Sequence, residues 1–323
     1  MLRDGLSGRV LPQRRAVLTP TRAVVAAGCL ALGCSGSEDA KNEAPSAEPQ
    51  PAEFFGTVTV NLREAREGSD AVSVVSGTVY DGPSPLDFGL ETVLEEGECE
   101  LREPTHPFCD PACDNGAMCI RDGECMPYPK PENVGDMLVM GLFEELTLEP
   151  FPPNFFYQSA ELAFPPCDEG ATVELSADAF HAEARCIAPL VVDSTPPSVR
   201  KDEPVSLSWE APGDAELARI QIYLDISHHG GKKGDIVCDV PDTGHYEIPA
   251  TLVTPLVELG LAGYPSVILT RWTAAVASPP DVRFKIAAAV ERAVDTGVRS
   301  CVPNTADDCA GAQTCDPATN VCR

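Results

Sequence analysis

Histidines and aspartates that could bind a metal ion cluster in one part of the chain. Three of the five histidines lie within residues 228–245, and Asp235 and Asp242 lie among them. Residues 230–234 are glycine- and lysine-rich and favour a hairpin turn, which would bring imidazoles and carboxylates together as ligands for Zn²⁺, Cu²⁺ or Ni²⁺. The interpretation we favour is a solvated surface loop, and a metal site is the alternative. The candidate metal ligands are His228, His229, Asp242 and His245.

The chain lacks the short motifs of common catalytic and phosphate-binding sites. G-x-S-x-G, H-E-x-x-H, G-x-G-x-x-G and the P-loop are all absent. A formal net charge of -27 would repel a phosphate backbone, which argues against nucleic acid as a partner. We therefore expect neither an enzyme nor a bound cofactor. A hydrolase without a readable motif is the alternative.

Fourteen cysteines indicate a chain that is exported to an oxidising compartment. Two of them lie within the first 34 residues, and the remaining twelve form an even set, as a disulfide framework requires. Zinc is disfavoured because the paired C-x2-C knuckles of zinc ribbons are absent. The disulfide candidates are Cys99, Cys109, Cys113, Cys119, Cys125, Cys167, Cys186, Cys238, Cys301, Cys309, Cys315 and Cys322.

Two groups of these cysteines have nearly the same spacing. The spacing is C-x5-C-x5-C in residues 113–125 and C-x5-C-x6-C in residues 309–322, and each run has one further cysteine upstream. Segments this small and polar need crosslinks in place of a core, and they resemble half of an EGF-like module. Four cysteines allow three pairings, which the sequence leaves open; we expect first with third and second with fourth. The remaining expected bridges are Cys167 with Cys186, which closes a hairpin-sized loop, and Cys99 with Cys238, by elimination.

The first 33 residues have the character of a signal peptide. Five arginines precede an apolar run that is too short to span a bilayer. The run ends in Ala31-Leu32-Gly33-Cys34, which resembles the lipobox of bacterial lipoproteins. The resemblance implies cleavage before Cys34, acylation of its thiol and amino group, and, because serine follows, an outer-membrane location. Cys29 is a second candidate, and an unmodified signal peptide is the alternative.

Composition divides the rest of the chain. Residues 34–53 are rich in Ser, Glu, Ala and Pro and are predicted to be a disordered tether. From residue 54 onward, short runs with a period of two predict strands at 56–62, 71–80, 91–94, 136–142, 146–148 and 172–176. They define a β domain, residues 54–195, with a cysteine-rich excursion at 99–127. A second domain, residues 196–298, and a small cysteine-rich module, residues 299–323, follow.

The second domain carries a further resemblance. Residues 204–212, P-V-S-L-S-W-E-A-P, resemble the second strand of a fibronectin type III domain, which implies a β-sandwich with Trp209 in its core. We expect the next strand at 218–226 and a helix at 252–261. The aromatic run at residues 151–157 is expected to plug the end of a sandwich; an exposed binding loop is the alternative.

Together these features predict a mainly β protein with two antiparallel sandwich-like domains, small disulfide-rich modules and an N-terminal tether. It resembles the acidic, cysteine-rich surface lipoproteins of myxobacteria. The resemblance implies a lipid-anchored protein of the cell envelope, on the surface or the periplasmic face of the outer membrane. It would act as a binding or structural module for a protein or glycan partner. Metal capture by the histidine loop is a further alternative.

Overall fold

Alternation of apolar and polar residues makes β-strand the main regular structure of the described chain. The computed structural model describes residues 54–65, 68–227, 231–277 and 281–297, with positions 301, 309, 314–317, 321 and 322. They all belong to one compact unit, Gln50–Arg323. The predicted signal peptide, Cys34 and the predicted tether lie outside the described residues, so these three assignments stay predictions.

The strands follow one another with few helical interruptions. The first eleven are β1 Phe55–Arg63, β2 Val72–Tyr80, β3 Leu90–Glu96, β4 Cys99–Pro104, β5 Ala117–Arg121, β6 Glu124–Pro127, β7 Met137–Met140, β8 Leu146–Leu148, β9 Tyr157–Gln158, β10 Thr172–Ala177 and β11 Phe180–Arg185. The others are β12 Val205–Ser208, β13 Arg219–Asp225, β14 Asp235–Pro241, β15 His245–Ile248, β16 Ser266–Ala277, β17 Asp281–Ala293, β18 Cys315–Asp316 and β19 Val321–Cys322. A short 3₁₀ helix, Pro85–Phe88, precedes β3, and helix α1, Ala250–Glu258, follows β15. The predicted mainly β class is therefore confirmed.

Nine strands form one large sheet in the order β3-β4-β14-β13-β16-β17-β1-β2-β9. Its neighbours are antiparallel except β1 and β17, which run parallel over eight residue pairs. A four-stranded sheet, β11-β10-β7-β8, lies against the large sheet through β11, which contacts β16 and β17. The two sheets enclose a shared apolar core, as in a β-sandwich.

Helix α1 covers another part of the same core. Its side chains Leu252, Val253 and Leu256 are buried, and it contacts β3, β4 and β14. The helix predicted at residues 252–261 is thus confirmed with earlier ends. None of the helices in the described part of the chain has the length and apolar character needed to cross a bilayer.

The structure differs from the predicted division into domains 54–195 and 196–298. Strands β1 and β2 from the first region share the large sheet with β13, β16 and β17 from the second, and β4 pairs with β14. If each region formed its own sheet, β1 and β17 would both be left with unpaired edges. Pairing them satisfies those backbone groups.

The cysteine-rich excursion is shorter than the predicted 99–127, because Cys99–Pro104 is a strand of the large sheet. What remains is a small two-stranded unit, β5 with β6. In the C-terminal module, β18 pairs with β19, so that Cys315 lies opposite Cys322. Strand β12, which carries the fibronectin-like sequence, pairs with β15 in a separate two-stranded sheet.

Candidate binding surface

One face of the large sheet lies in the core and the other is only partly covered. Alternate residues of β1 and β17, such as Val58, Val60 and Phe284, are fully buried. The residues between them point to the opposite side, and most of these are exposed or half-buried. We call this second side the open face. It consists of the odd positions of β1 and β17 and the even positions of β2 and β16.

A cleft of about 1110 Å³ lies at the edge of the open face, around the C-terminal ends of β1 and β17 and the loops beside them. Its floor is low because the strands place small side chains there, Ala289 and Ala293 on β17 and Ser266 on β16. A volume of this order suits a small-molecule or oligomeric ligand. We call it the Ala289 cleft. Its polar wall residues are Asn61, Arg63, Glu64, Asp70, Glu161, Tyr264, Glu291 and Arg292.

The electrostatics of the Ala289 cleft are mixed, with four carboxylates and two guanidinium groups along its walls. One guanidinium, that of Arg292, donates hydrogen bonds to the carbonyl oxygens of Glu291 at 3.0 Å and Val192 at 3.4 Å. The ring of Tyr264 is 55% exposed at the rim. No His, Cys or Lys occurs among the described lining residues. The cleft is therefore equipped for hydrogen bonding to a polar ligand rather than for nucleophilic chemistry.

A second polar feature of the open face is a lysine held against a tryptophan. The Nζ atom of Lys285 lies 5.2 Å from the centroid of the Trp272 ring, which is cation–π geometry. Burial lowers the pKa of Lys285, the positive charge of Arg283 lowers it further, and Asp239 acts in the opposite direction. The Nε1 atom of Trp272 is buried without a hydrogen-bond acceptor in the described structure. The open face thus places a cation beside an aromatic ring.

The structure rejects Asp242 as a metal ligand. Its carboxylate is buried and accepts hydrogen bonds from Arg271 Nε at 2.6 Å, Arg271 Nη2 at 3.2 Å and Trp209 Nε1 at 2.7 Å. Both oxygens are therefore used to neutralise a buried guanidinium, which needs a counter-charge. His245 is exposed at the start of β15, and its Nδ1 atom lies 3.5 Å from Ser208 Oγ. His228 and His229 lie outside the described residues.

Ion pairs surround Asp235 in the hairpin that was considered for the alternative metal site. Strands β13 and β14 pair antiparallel up to Asp225 opposite Asp235, as the predicted turn requires. The buried carboxylate of Asp235 accepts a 2.8 Å hydrogen bond from Arg102 Nε and also contacts the ammonium of Lys232. Burial opposes a charged Lys232, but the contacts with Asp235 and Tyr223 outweigh it and raise the pKa of Lys232.

All twelve predicted cysteines form disulfides, with the expected partners. Two sets of three sulfur atoms come close enough together to resemble metal sites, but every sulfur in them is already bonded to another. The pairs are Cys99–Cys238, Cys109–Cys119, Cys113–Cys125, Cys167–Cys186, Cys301–Cys315 and Cys309–Cys322.

Two aromatic predictions have different outcomes. Trp209 is 6% exposed, so its assignment to the core is confirmed. The run at residues 151–157 divides: Tyr157 is buried and donates a 2.9 Å hydrogen bond to the carbonyl oxygen of Gly135. Phe151 and Phe156 are 73% and 38% exposed. Only the end of the run therefore plugs the sandwich.

The residues that β16 and β17 contribute to the open face were missed by sequence analysis because these two strands were not predicted. A signal was present in residues 282–286, V-R-F-K-I, where apolar and basic residues alternate with the period of a strand. No protein-family model matches this chain, and no curated protein matches it.

Proposed function

We propose that this chain is a lipid-anchored protein of the cell envelope that binds a protein or glycan partner through the open face of its large sheet. The observation that carries the proposal is the Ala289 cleft, a large polar depression formed by the ends of paired strands and the loops beside them. Paired strands hold the floor of the cleft more rigidly than loops would, which favours specific recognition.

Two further features support an anchored and exported protein. Six disulfides are typical of chains that mature in an oxidising compartment. The resemblance of residues 31–34 to a lipobox supplies the anchor, since several acyl chains at about 0.8 kcal/mol per buried methylene give stable attachment. The proposed anchor residue is Cys34, and the proposed location is the outer membrane.

Filling the cleft tests the binding function. Ala289 is exposed on the open face, so Ala289→Tyr should fold normally while its ring occupies the cleft. We expect the variant to bind envelope fragments of its own cells at least tenfold more weakly than the natural protein. Thr147→Tyr, an exposed position on β8, is the matched control and should bind normally. Unchanged binding by Ala289→Tyr at an unchanged melting temperature would remove the open face as the binding surface.

Mass spectrometry of the protein from its native envelope tests the anchor. We expect an acylated Cys34 at the N-terminus and a gain of twelve protons on reduction of the six bridges. Cys34→Ser should move the protein from the membrane fraction to the soluble fraction. A native protein with an unmodified N-terminus would contradict the anchor and leave the binding surface to be judged separately.

A further inference from the structure

Beside the Ala289 cleft, the open face carries a regular array of hydroxyl and cationic side chains. The parallel register of β17 with β1 places Arg283 opposite Thr57 and Lys285 opposite Thr59. The antiparallel register of β1 with β2 continues each row with another hydroxyl. We call this array the hydroxyl–cation grid. Its two rows are Arg283, Thr57, Thr78 and Lys285, Thr59, Ser76.

Strand parity puts the whole grid on the open face. Apart from Gly56 and Gly77, the neighbours of its members along the strands, among them Val58, Val79 and Phe284, are fully buried in the core. The members themselves are exposed, as for Thr57 and Arg283, or half-buried. Successive rows on one face are about 7 Å apart along a strand, and neighbouring strands about 5 Å apart. The grid is therefore a continuous polar surface of molecular size.

Aromatic side chains border the grid at both ends. Phe55 and Tyr80 lie opposite each other in the next row, on the same face of the sheet. At the other end the Trp272 ring supports Lys285. A ligand that lies along the strands would meet apolar ring surface at one end, then hydroxyls and positive charges. Such alternation of CH faces, hydroxyl groups and charge is the chemistry of a substituted sugar.

The two cations of the grid are free to bind an anion. No carboxylate in the described structure forms an ion pair with Arg283 or Lys285, although acidic residues outnumber basic ones by 50 to 23. The nearest acidic positions on this face are Asp281, two residues along β17, and Asp239, whose charge is felt by Lys285. The net charge of -27 opposes an approaching anion, but at physiological salt this repulsion is screened beyond about 8 Å.

We infer that the hydroxyl–cation grid binds an anionic saccharide, a sugar chain that carries carboxylate, sulfate or phosphate groups. The inference rests on the proposed function and names the class of partner. The cations would pair with the acidic groups of the sugar, while the threonine and serine hydroxyls exchange hydrogen bonds with its hydroxyls. A bound anion would also favour the charged form of Lys285, which burial disfavours.

Titration calorimetry of the purified protein in 0.15 M NaCl tests the inference. The probes are oligogalacturonate for carboxylate, dextran sulfate for sulfate, dextran phosphate for phosphate and dextran as the neutral chain. We expect saturable binding of at least one anionic probe and weaker or no binding of dextran. Lys285→Met and Arg283→Gln should each weaken binding at least tenfold, and Thr59→Val several-fold. The charge-matched control is Lys130→Met, an exposed lysine outside the large sheet.

Three results would overturn the inference: no binding of any anionic probe, equal binding of neutral dextran, or binding that the grid variants leave unchanged. The proposed function is judged apart from these results, through Ala289→Tyr. Ala289 lies about 13 Å along β17 from Lys285. If Ala289→Tyr abolishes binding to envelope fragments while no anionic probe binds, the proposed function holds and the saccharide inference fails.

Discussion

At the residue scale, Arg271 shows why a cluster of polar residues in this chain is structural. Its side chain is 1% exposed, and its guanidinium donates 2.6 Å hydrogen bonds to the carbonyl oxygens of Pro189 and Glu210 in addition to the pair with Asp242. Asp242 in turn accepts the indole N–H of Trp209. Every strong polar group in this cluster has a partner, so the cluster fixes the packing around Trp209 and leaves no ligand position for a metal.

Breaking the buried ion pair between Asp242 and Arg271 should destabilise the folded protein. Asp242→Asn removes the counter-charge of a buried guanidinium, and we expect it to lower the free energy of unfolding by about 3–5 kcal/mol. Urea titration at pH 7 measures the change. Lys201→Met is the control, because the pair of Lys201 with Glu258 is solvent-exposed and its loss should leave the midpoint unchanged. A midpoint for Asp242→Asn equal to that of the natural protein would show that water reaches Arg271.

At the element scale, local alternation made some strands predictable and others not. Residues 56–62 and 172–176 alternate clearly and form β1 and β10. Strand β17 contains Ala287, Ala288 and Ala289, and alanine has low strand propensity. It is extended because β16 and β1 pair with it on both sides, which is tertiary information. The candidate surface forms only where β16 and β17 lie beside β1, so its position could not be predicted from the sequence.

The disulfides were predictable for a different physical reason. Small polar segments need crosslinks, and an even cysteine count limits how they can pair. The bridge between Cys99 and Cys238 required elimination, because its partners are 139 residues apart. The structure explains it: these residues are cross-strand neighbours on β4 and β14, and both are buried in the core.

Loop length predicts which bridge matters most. Replacing Cys99 and Cys238 by alanine should lower the free energy of unfolding by about 5 kcal/mol, against about 3 kcal/mol for Cys109 with Cys119, because loop-closure entropy grows with loop length. The sequence separations are 139 and 10 residues. The bridges inside the longer loop shorten its effective length and reduce the difference. Urea midpoints of the two double variants measure it, and a larger loss from Cys109 with Cys119 would refute the loop-entropy account.

At the scale of the whole molecule, the parallel pair of β1 with β17 joins an early segment of the described chain to a late one. Residues near position 60 and near position 285 become neighbours, and the open face exists only where they meet. The hydroxyl–cation grid takes its cations from β17 and its hydroxyls from β1 and β2. The surface proposed for binding is therefore a product of the complete sheet rather than of either half of the sequence.

This topology predicts that neither half folds alone. A fragment of residues 54–195 lacks the central strands β13, β16 and β17, and a fragment of residues 196–297 leaves the long edge of β17 unpaired. We expect both fragments to lack near-ultraviolet circular dichroism, whereas the full chain shows one cooperative urea transition, since one shared core unfolds as a unit. The same transition should be seen by tryptophan fluorescence and by far-ultraviolet circular dichroism. Two separate transitions, or a native-like spectrum from either fragment, would mean that each half has a self-sufficient core and that the pairing of β1 with β17 is not needed to fold it.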